Sequence, residues 1–179
     1  MNYNNIQLIK REFFAMRNGV IADALRKAGA PYSIIFGLTI PQLTEIAEAT
    51  GSNREIAETL HNNTTTRESL MLAAMIYPRE QMDYDTAYQW LAGAPTTEVV
   101  DIICHRLVRH LEFAPTLAED LIKSPASMSR YAALRLYLNI ISRYTDRALS
   151  AARDEFAVND PLTQPLARQI IDEAEFIKQ

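Results

Sequence analysis

The sequence predicts an all-α protein built as an array of helix pairs, and three observations carry that prediction. First, Thr66, Thr97, Ser129 and Thr163 each follow a short polar loop and open an apolar stretch. They stand 31, 32 and 34 residues apart, the period of a helix-pair repeat. Second, glycine is scarce, five in 179 residues, while Ala, Leu and Ile are frequent, a balance that favours helix. Third, the apolar residues of 98–112 fall at 99, 100, 103, 104, 107, 108 and 111, a single stripe at helical spacing.

Taken in order, helices are predicted near 3–17, 19–29, 41–50, 53–62, 66–77, 83–92, 97–111, 116–123, 128–142, 145–157 and 162–177. Pro41 suits the first turn of the third. Asn53 and Thr97 precede helical runs as N-caps, where a short polar side chain accepts from a free backbone N–H. The tripeptides at 93–95 (Gly-Ala-Pro) and 159–161 (Asn-Asp-Pro), and Ser124-Pro125, read as breaks. The run 32–38 (YSIIFGL) is rich in β-formers but isolated, and is expected as a loop packed on the first repeat. Leu70, Ala73 and Ala74 in one repeat, and Ala132, Ala133 and Leu136 in another, occupy equivalent core positions. Trp90 is expected as a packing residue and Cys104, on the apolar stripe, as a small buried hydrophobe. All 179 residues are expected to form a single array of about five helix pairs.

Composition narrows the function classes. Hydrophobic residues make up 48% and charged residues 22%, with a net charge of −4. That is ordinary for a globular domain, and an acidic total lowers the expectation of indiscriminate DNA binding, which needs a basic face. No run is long and apolar enough for a membrane span. The N-terminal residues lack the apolar core of a signal peptide. One cysteine allows no intrachain disulfide, which fits a cytoplasmic location. No CxxC, Gly-rich phosphate loop or metal-ligand spacing is present, and His61, His105 and His110 are scattered. No cofactor or metal is therefore expected.

The candidate chemistry lies in one helix. Asp101 interrupts the apolar run VVDIIC, with His105 at i+4 and Arg109 at i+8 on the same stripe. Such a row can form an acid–base or charge-stabilising site. It can equally be an internal polar ladder in which the carboxylate bonds backbone or an Arg of the next repeat. Arg67 and Arg130 each follow a helix opener, and with Arg168 they are candidates to meet phosphate or carboxylate. The same positions can be solvated first turns. Tyr131, Tyr137 and Tyr144 recur along one helix without sharing one face.

At this point the residues resemble a known family. FGLTIPQLTEIAEATG, then REIAETLHNNTTTRESLMLAAMIYP, then TEVVDIICHRL are similar to the AlkD-like DNA alkylation repair proteins, which are HEAT-like repeat DNA glycosylases. The resemblance covers roughly residues 30 to 140. It rests on the order of Gly37 to Pro41, the Ala-rich helix from Arg67 to Ala74, and Asp101 followed by Cys104. It implies a right-handed α-α superhelix of HEAT-like helix-pair repeats, double-stranded DNA as the partner, and Asp101 as the catalytic carboxylate that steadies a developing oxocarbenium as an N-alkylated base departs. It further implies DNA contacts from Arg67, Thr97, His105, Arg109 and Arg130, with Arg130 matching a family Arg that holds the DNA backbone. Thr97 stands where the family usually carries Trp against the damaged nucleotide's sugar, and no Trp follows Trp90. The alternative is a noncatalytic module whose concave face binds a protein partner.

Overall fold

The computed structural model describes residues 4–178. Among them are eleven α-helices and no strand, only an isolated bridge between Ile34 and Thr66. The helices cluster in two compact units, Met1–Met82 and Asp83–Gln179. Residue 3, where the first predicted helix begins, lies outside the described residues.

The first unit holds α1 (Asn5–Ala15), α2 (Gly19–Lys27), α3 (Ile40–Thr50), α4 (Arg54–His61) and α5 (Arg67–Ile76). Short polar side chains start them. Asn4 caps α1 in a reciprocal box with Gln7, Asn18 caps α2, Thr39 and Gln42 box α3, and Asn53 caps α4 as expected. Helix α5 is buried almost all round, with Leu70, Met71, Leu72, Ala73 and Ala74 each at most 2% exposed. It is the central helix of this unit. The β-rich run 32–38 is a loop, tied to the start of α5. The Ile34 N–H donates to the Thr65 carbonyl, the Arg67 N–H to the Ile34 carbonyl, and the N–H groups of Phe36, Gly37 and Leu38 to the buried Glu68 carboxylate. Gly37 is required there: φ is +78° and a Cβ would lie 2.2 Å from the Asn18 carbonyl oxygen.

The second unit holds α6 (Tyr84–Ala92), α7 (Thr97–Ile102), α8 (Ala114–Leu121), α9 (Ser127–Ile140), α10 (Thr145–Val158) and α11 (Gln164–Ile177). Helix α9 is central and packs on α6, α7, α8, α10 and α11. Ala132, Ala133, Leu134 and Leu136 are fully buried along it. Cys104 is fully buried and Trp90 is 6% exposed, both core residues as expected.

Two local expectations change. The seventh helix does not run unbroken over 97–111. After Ile102 it widens into a π-turn over Ile103–Leu107 and ends in a 3₁₀ turn over Val108–His110. Hydrophobic periodicity survives such a change of winding, so the stripe in the sequence could not reveal it. Nor is Thr97 the cap of this helix. Thr96 is, its hydroxyl accepting the Val99 N–H, and Thr97 is the first helical residue. Similarly α9 begins at Ser127, so Ser129 lies in its buried first turn.

Candidate nucleic-acid interface

Asp101, His105 and Arg109 advance along the seventh helix in steps of four. Tyr131, Arg135, Asn139 and Arg143 do the same on α9 and just beyond its end. The two rows lie where α7 packs on α9, and polar contacts join them at the first and third rungs. At the first rung the Tyr131 hydroxyl donates to Asp101 Oδ1 at 3.0 Å and accepts from Arg135 Nη2 at 2.9 Å. Arg135 Nε lies 2.7 Å from the same carboxylate oxygen, close enough for an ion pair but poorly aligned as a hydrogen bond. The Arg135 guanidinium also lies 5.6 Å from the centroid of the Tyr131 ring. At the second rung His105 and Asn139 are neighbours, and the Asn139 Nδ2 is buried without a hydrogen-bond partner among the described residues. At the third, Arg143 Nη2 donates to the Arg109 carbonyl at 2.9 Å.

Electrostatics differ along the row. Burial pushes the Asp101 carboxyl above the usual range, while Arg135 and Tyr131 pull against it and Glu98 adds to the rise. The Asp101 side chain keeps 38% of its surface exposed, so it is neither a core carboxylate nor a free one. Burial and the neighbouring Arg109 hold His105 below the ordinary histidine value, with Arg106 in the same direction and Asn139 opposed. Arg109 Nε turns to His110 Nε2 at 3.3 Å. An Arg of the next helix pair thus pairs with Asp101, and part of the carboxylate still reaches solvent.

Thr97 sits one turn ahead of Asp101, half-buried at the first position of α7. Arg67 and Arg130 stand elsewhere than expected of DNA contacts. Arg67 belongs to the first unit and is 4% exposed. Its Nη1 donates to the Leu38 carbonyl at 3.0 Å and to Glu68 Oε1 at 2.9 Å, so the guanidinium braces the loop that Glu68 holds. Arg130 is locked inside the second unit. Nε reaches Glu155 Oε1 at 2.9 Å, Nη2 reaches Asp160 Oδ2 at 2.6 Å, and Nη1 caps the Ser124 and Pro125 carbonyls. Ser127 and Thr163 complete the set through Asp160 and Glu155. The residue that meets Asp101 is Arg135, not Arg130. Arg168 is exposed, over the Phe156 ring at 4.4 Å.

Sequence reasoning missed Arg135, Asn139 and Arg143. The signal was available, since they continue the four-residue step from Tyr131 and mirror the step of Asp101, His105 and Arg109. Among the described residues no cluster of His, Cys, Asp and Glu could hold a metal ion, and no helix is long and apolar enough to cross a membrane. A mostly apolar cleft of about 260 Å³ between α1 and α3 contains none of these residues.

Comparison with known proteins agrees with this architecture. No curated protein matches the chain. A solved structure aligns with a TM-score of 0.80 at 18% identity, covering 93% of this chain and 74% of its own. That protein is described as one of a new family related to the HEAT-like repeat DNA glycosylases with affinity for branched DNA structures. The likeness shows the fold, an all-α HEAT-like repeat. The family model for DNA alkylation repair enzymes matches residues 9–179, and the chain belongs to that family.

Proposed function

We propose that this protein binds double-stranded DNA and recognises N-alkylated bases through the α7–α9 face. Asp101 supplies the negative charge that meets the cationic base. The observation that carries the reading is the half-exposed Asp101 carboxylate, fixed by Tyr131 and Arg135, in a chain of the DNA alkylation repair family. A methyl group on N7 or N3 makes a purine a cation, and a placed carboxylate attracts it. Thr97, His105 and Arg109 lie on the same helix face as Asp101 or next to it and would contact the strand. The affinity for branched DNA ascribed to the structural relative supports a DNA partner.

The exposed carboxylate also favours a second reading, a glycosylase. The C1′–N bond would break with its electron pair passing to the cationic base. Asp101 would steady the oxocarbenium left on the sugar, and water would add at C1′ and lose a proton to solvent. Two features weigh toward recognition over fast chemistry. Arg135 already counters much of the Asp101 charge, and Thr97 offers no aromatic face.

The test is binding and base release on a duplex with one N7-methylguanine, an undamaged duplex and a four-way junction at low salt. Salt-sensitive binding that favours the lesion, without release, is the expected result. Release by wild type and not by Asp101→Asn would establish the glycosylase. Failure to bind any of the three would sink the DNA reading and leave a scaffold for a protein partner.

A further inference from the structure

The apolar stripe of α1 is wider than the surface that covers it. Ile9 and Phe13 are buried in the first unit, where α1 packs on α3 and α4. Leu8 and Met16 carry the stripe past that contact, and Leu8 keeps 45% of its surface open to solvent. Both line the cleft of about 260 Å³ between α1 and α3. Its other wall is built in the same helical step, with Glu45 and Ala49 one turn apart on α3 and the buried Ile46 beside them. Two helices that flank an apolar cleft leave a groove into which a third can lay an apolar ridge.

Charge selects the occupant. Glu12 of α1 and Glu45 of α3 both line the cleft and are exposed, and among the described residues no Lys or Arg lines it. Neither carboxylate has a cation within 4 Å among the described residues. An apolar cleft with a carboxylate on each wall repels phosphate and attracts a cation that brings apolar surface with it. Size narrows the choice further. Pockets that enclose a whole small-molecule ligand run from roughly 300 to 1,000 Å³, so this cleft suits a few side chains of a larger partner. A helix presents such side chains at i and i+4, in step with both walls.

We infer that the α1–α3 cleft docks an amphipathic, basic helix of a protein partner. Two apolar side chains one turn apart fill the cleft over Ile46, and Lys or Arg beside them meet Glu12 and Glu45. The site belongs to the first unit and shares no residue with the Asp101 face. It gives the protein a surface for a protein partner in addition to the one proposed for DNA, and it does not depend on the DNA reading.

The test uses the full chain and a labelled alanine-based helical peptide of about 16 residues, with Leu at i and i+4 flanked by Lys. Two counterpart peptides carry Glu for Lys, or Ala for Leu. Fluorescence anisotropy gives affinities for wild type, Glu12→Gln, Glu45→Gln, Ala49→Arg and Lys10→Gln, the last on α1 outside the cleft. Thermal melts confirm that each is folded, and the methyl resonances of Leu8, Met16 and Ile46 report where the peptide sits. The Leu–Lys peptide should bind wild type and shift these methyls, and both counterparts should bind more weakly. Each Glu→Gln change should weaken binding about twofold to fivefold, as expected of an exposed ion pair. Ala49→Arg should weaken it by about tenfold or more, since it fills the cleft and adds a repelling charge, while Lys10→Gln should bind as wild type does. No binding, unmoved methyls, equal affinity for the Lys and Glu peptides, or an unaffected Ala49→Arg each overturns the site. Sedimentation of the protein alone checks the other occupant: a dimer that Ala49→Arg disperses would assign the cleft to a second copy of this chain and overturn the partner helix.

Discussion

Replacing Arg130 by Ala separates a brace from a DNA contact. The guanidinium holds Glu155 and Asp160 together and covers two loop carbonyls between α8 and α9. Its own side chain is 13% exposed and that of Glu155 is 3% exposed. Truncation leaves Glu155 with the Thr163 hydroxyl as its remaining hydrogen bond at 2.6 Å. Removing one partner of a buried ion pair costs about 3–5 kcal/mol, because the other charge stays buried and uncompensated. Some access to water at Arg130 and Asp160, each 13% exposed, argues for the lower end, about 3 kcal/mol. For a chain of this size that lowers Tm by roughly 6–12 °C. Differential scanning calorimetry reads this directly, and the double variant Arg130→Met with Glu155→Gln should recover part of the loss. The slope of DNA affinity against salt, measured well below the melt, should stay at the wild-type value. A variant with unchanged Tm and a flattened slope would refute the brace and return Arg130 to the DNA surface.

Gly37→Ala meets both a φ of +78° and a 2.2 Å clash, whereas Gly29→Ala meets a φ of +86° with nothing within 4 Å. Chemical denaturation should show a loss of about 1–2 kcal/mol at Gly29 and a larger one at Gly37, by about 1–3 kcal/mol; equal losses would contradict the close approach of Asn18. Burial holds His61 down to about 4. Between its ordinary value near 6.5 and that lower value, the unfolded chain binds a proton that the folded chain excludes, so stability should fall as pH drops through this window. His61→Gln should lessen that fall in urea titrations at several pH values, and an identical pH profile would contradict it. Tyr131→Phe removes a hydrogen bond to the ionised Asp101 and should raise the Asp101 pKa further, read by carboxyl carbon NMR; no change would mean that the bond is not made in solution. A single array over residues 1–179 should unfold in one transition, with Trp90 fluorescence, which reports the second unit, coinciding with the loss of helix by circular dichroism. Two separate transitions would divide the chain at the boundary near Met82.

The helices were legible because local chemistry and packing agree along most of the chain. Asn53 caps the helix it precedes, Pro41 sits in a first turn, and the stripe from Val99 to Val108 is buried. The π-turn at Ile103–Leu107 was not legible, since an added residue per turn leaves an apolar stripe nearly unchanged over so short a span. Asp101 stood out because a carboxylate inside VVDIIC needs a partner. Which arginine supplies it was hidden, because the answer depends on the register of α9 against α7, a tertiary quantity. Arg130 and Arg135 differ by five residues, more than one turn, and only the packed structure sends one to Glu155 and the other to Asp101. Arg67 shows the same limit: next to a helix opener it reads as a solvated cation, yet the neighbouring Glu68 and the loop at Gly37 draw it inside.

The most direct measurement of the central claim is the ratio of affinities for N7-methylguanine and undamaged duplexes, compared between wild type and Asp101→Asn at equal salt. A half-exposed carboxylate meeting a cation contributes up to about 1 kcal/mol, so wild type should favour the lesion by roughly fivefold and Asp101→Asn should bind both duplexes alike. A lesion preference that survives the substitution, or none in wild type, would contradict the role given to Asp101.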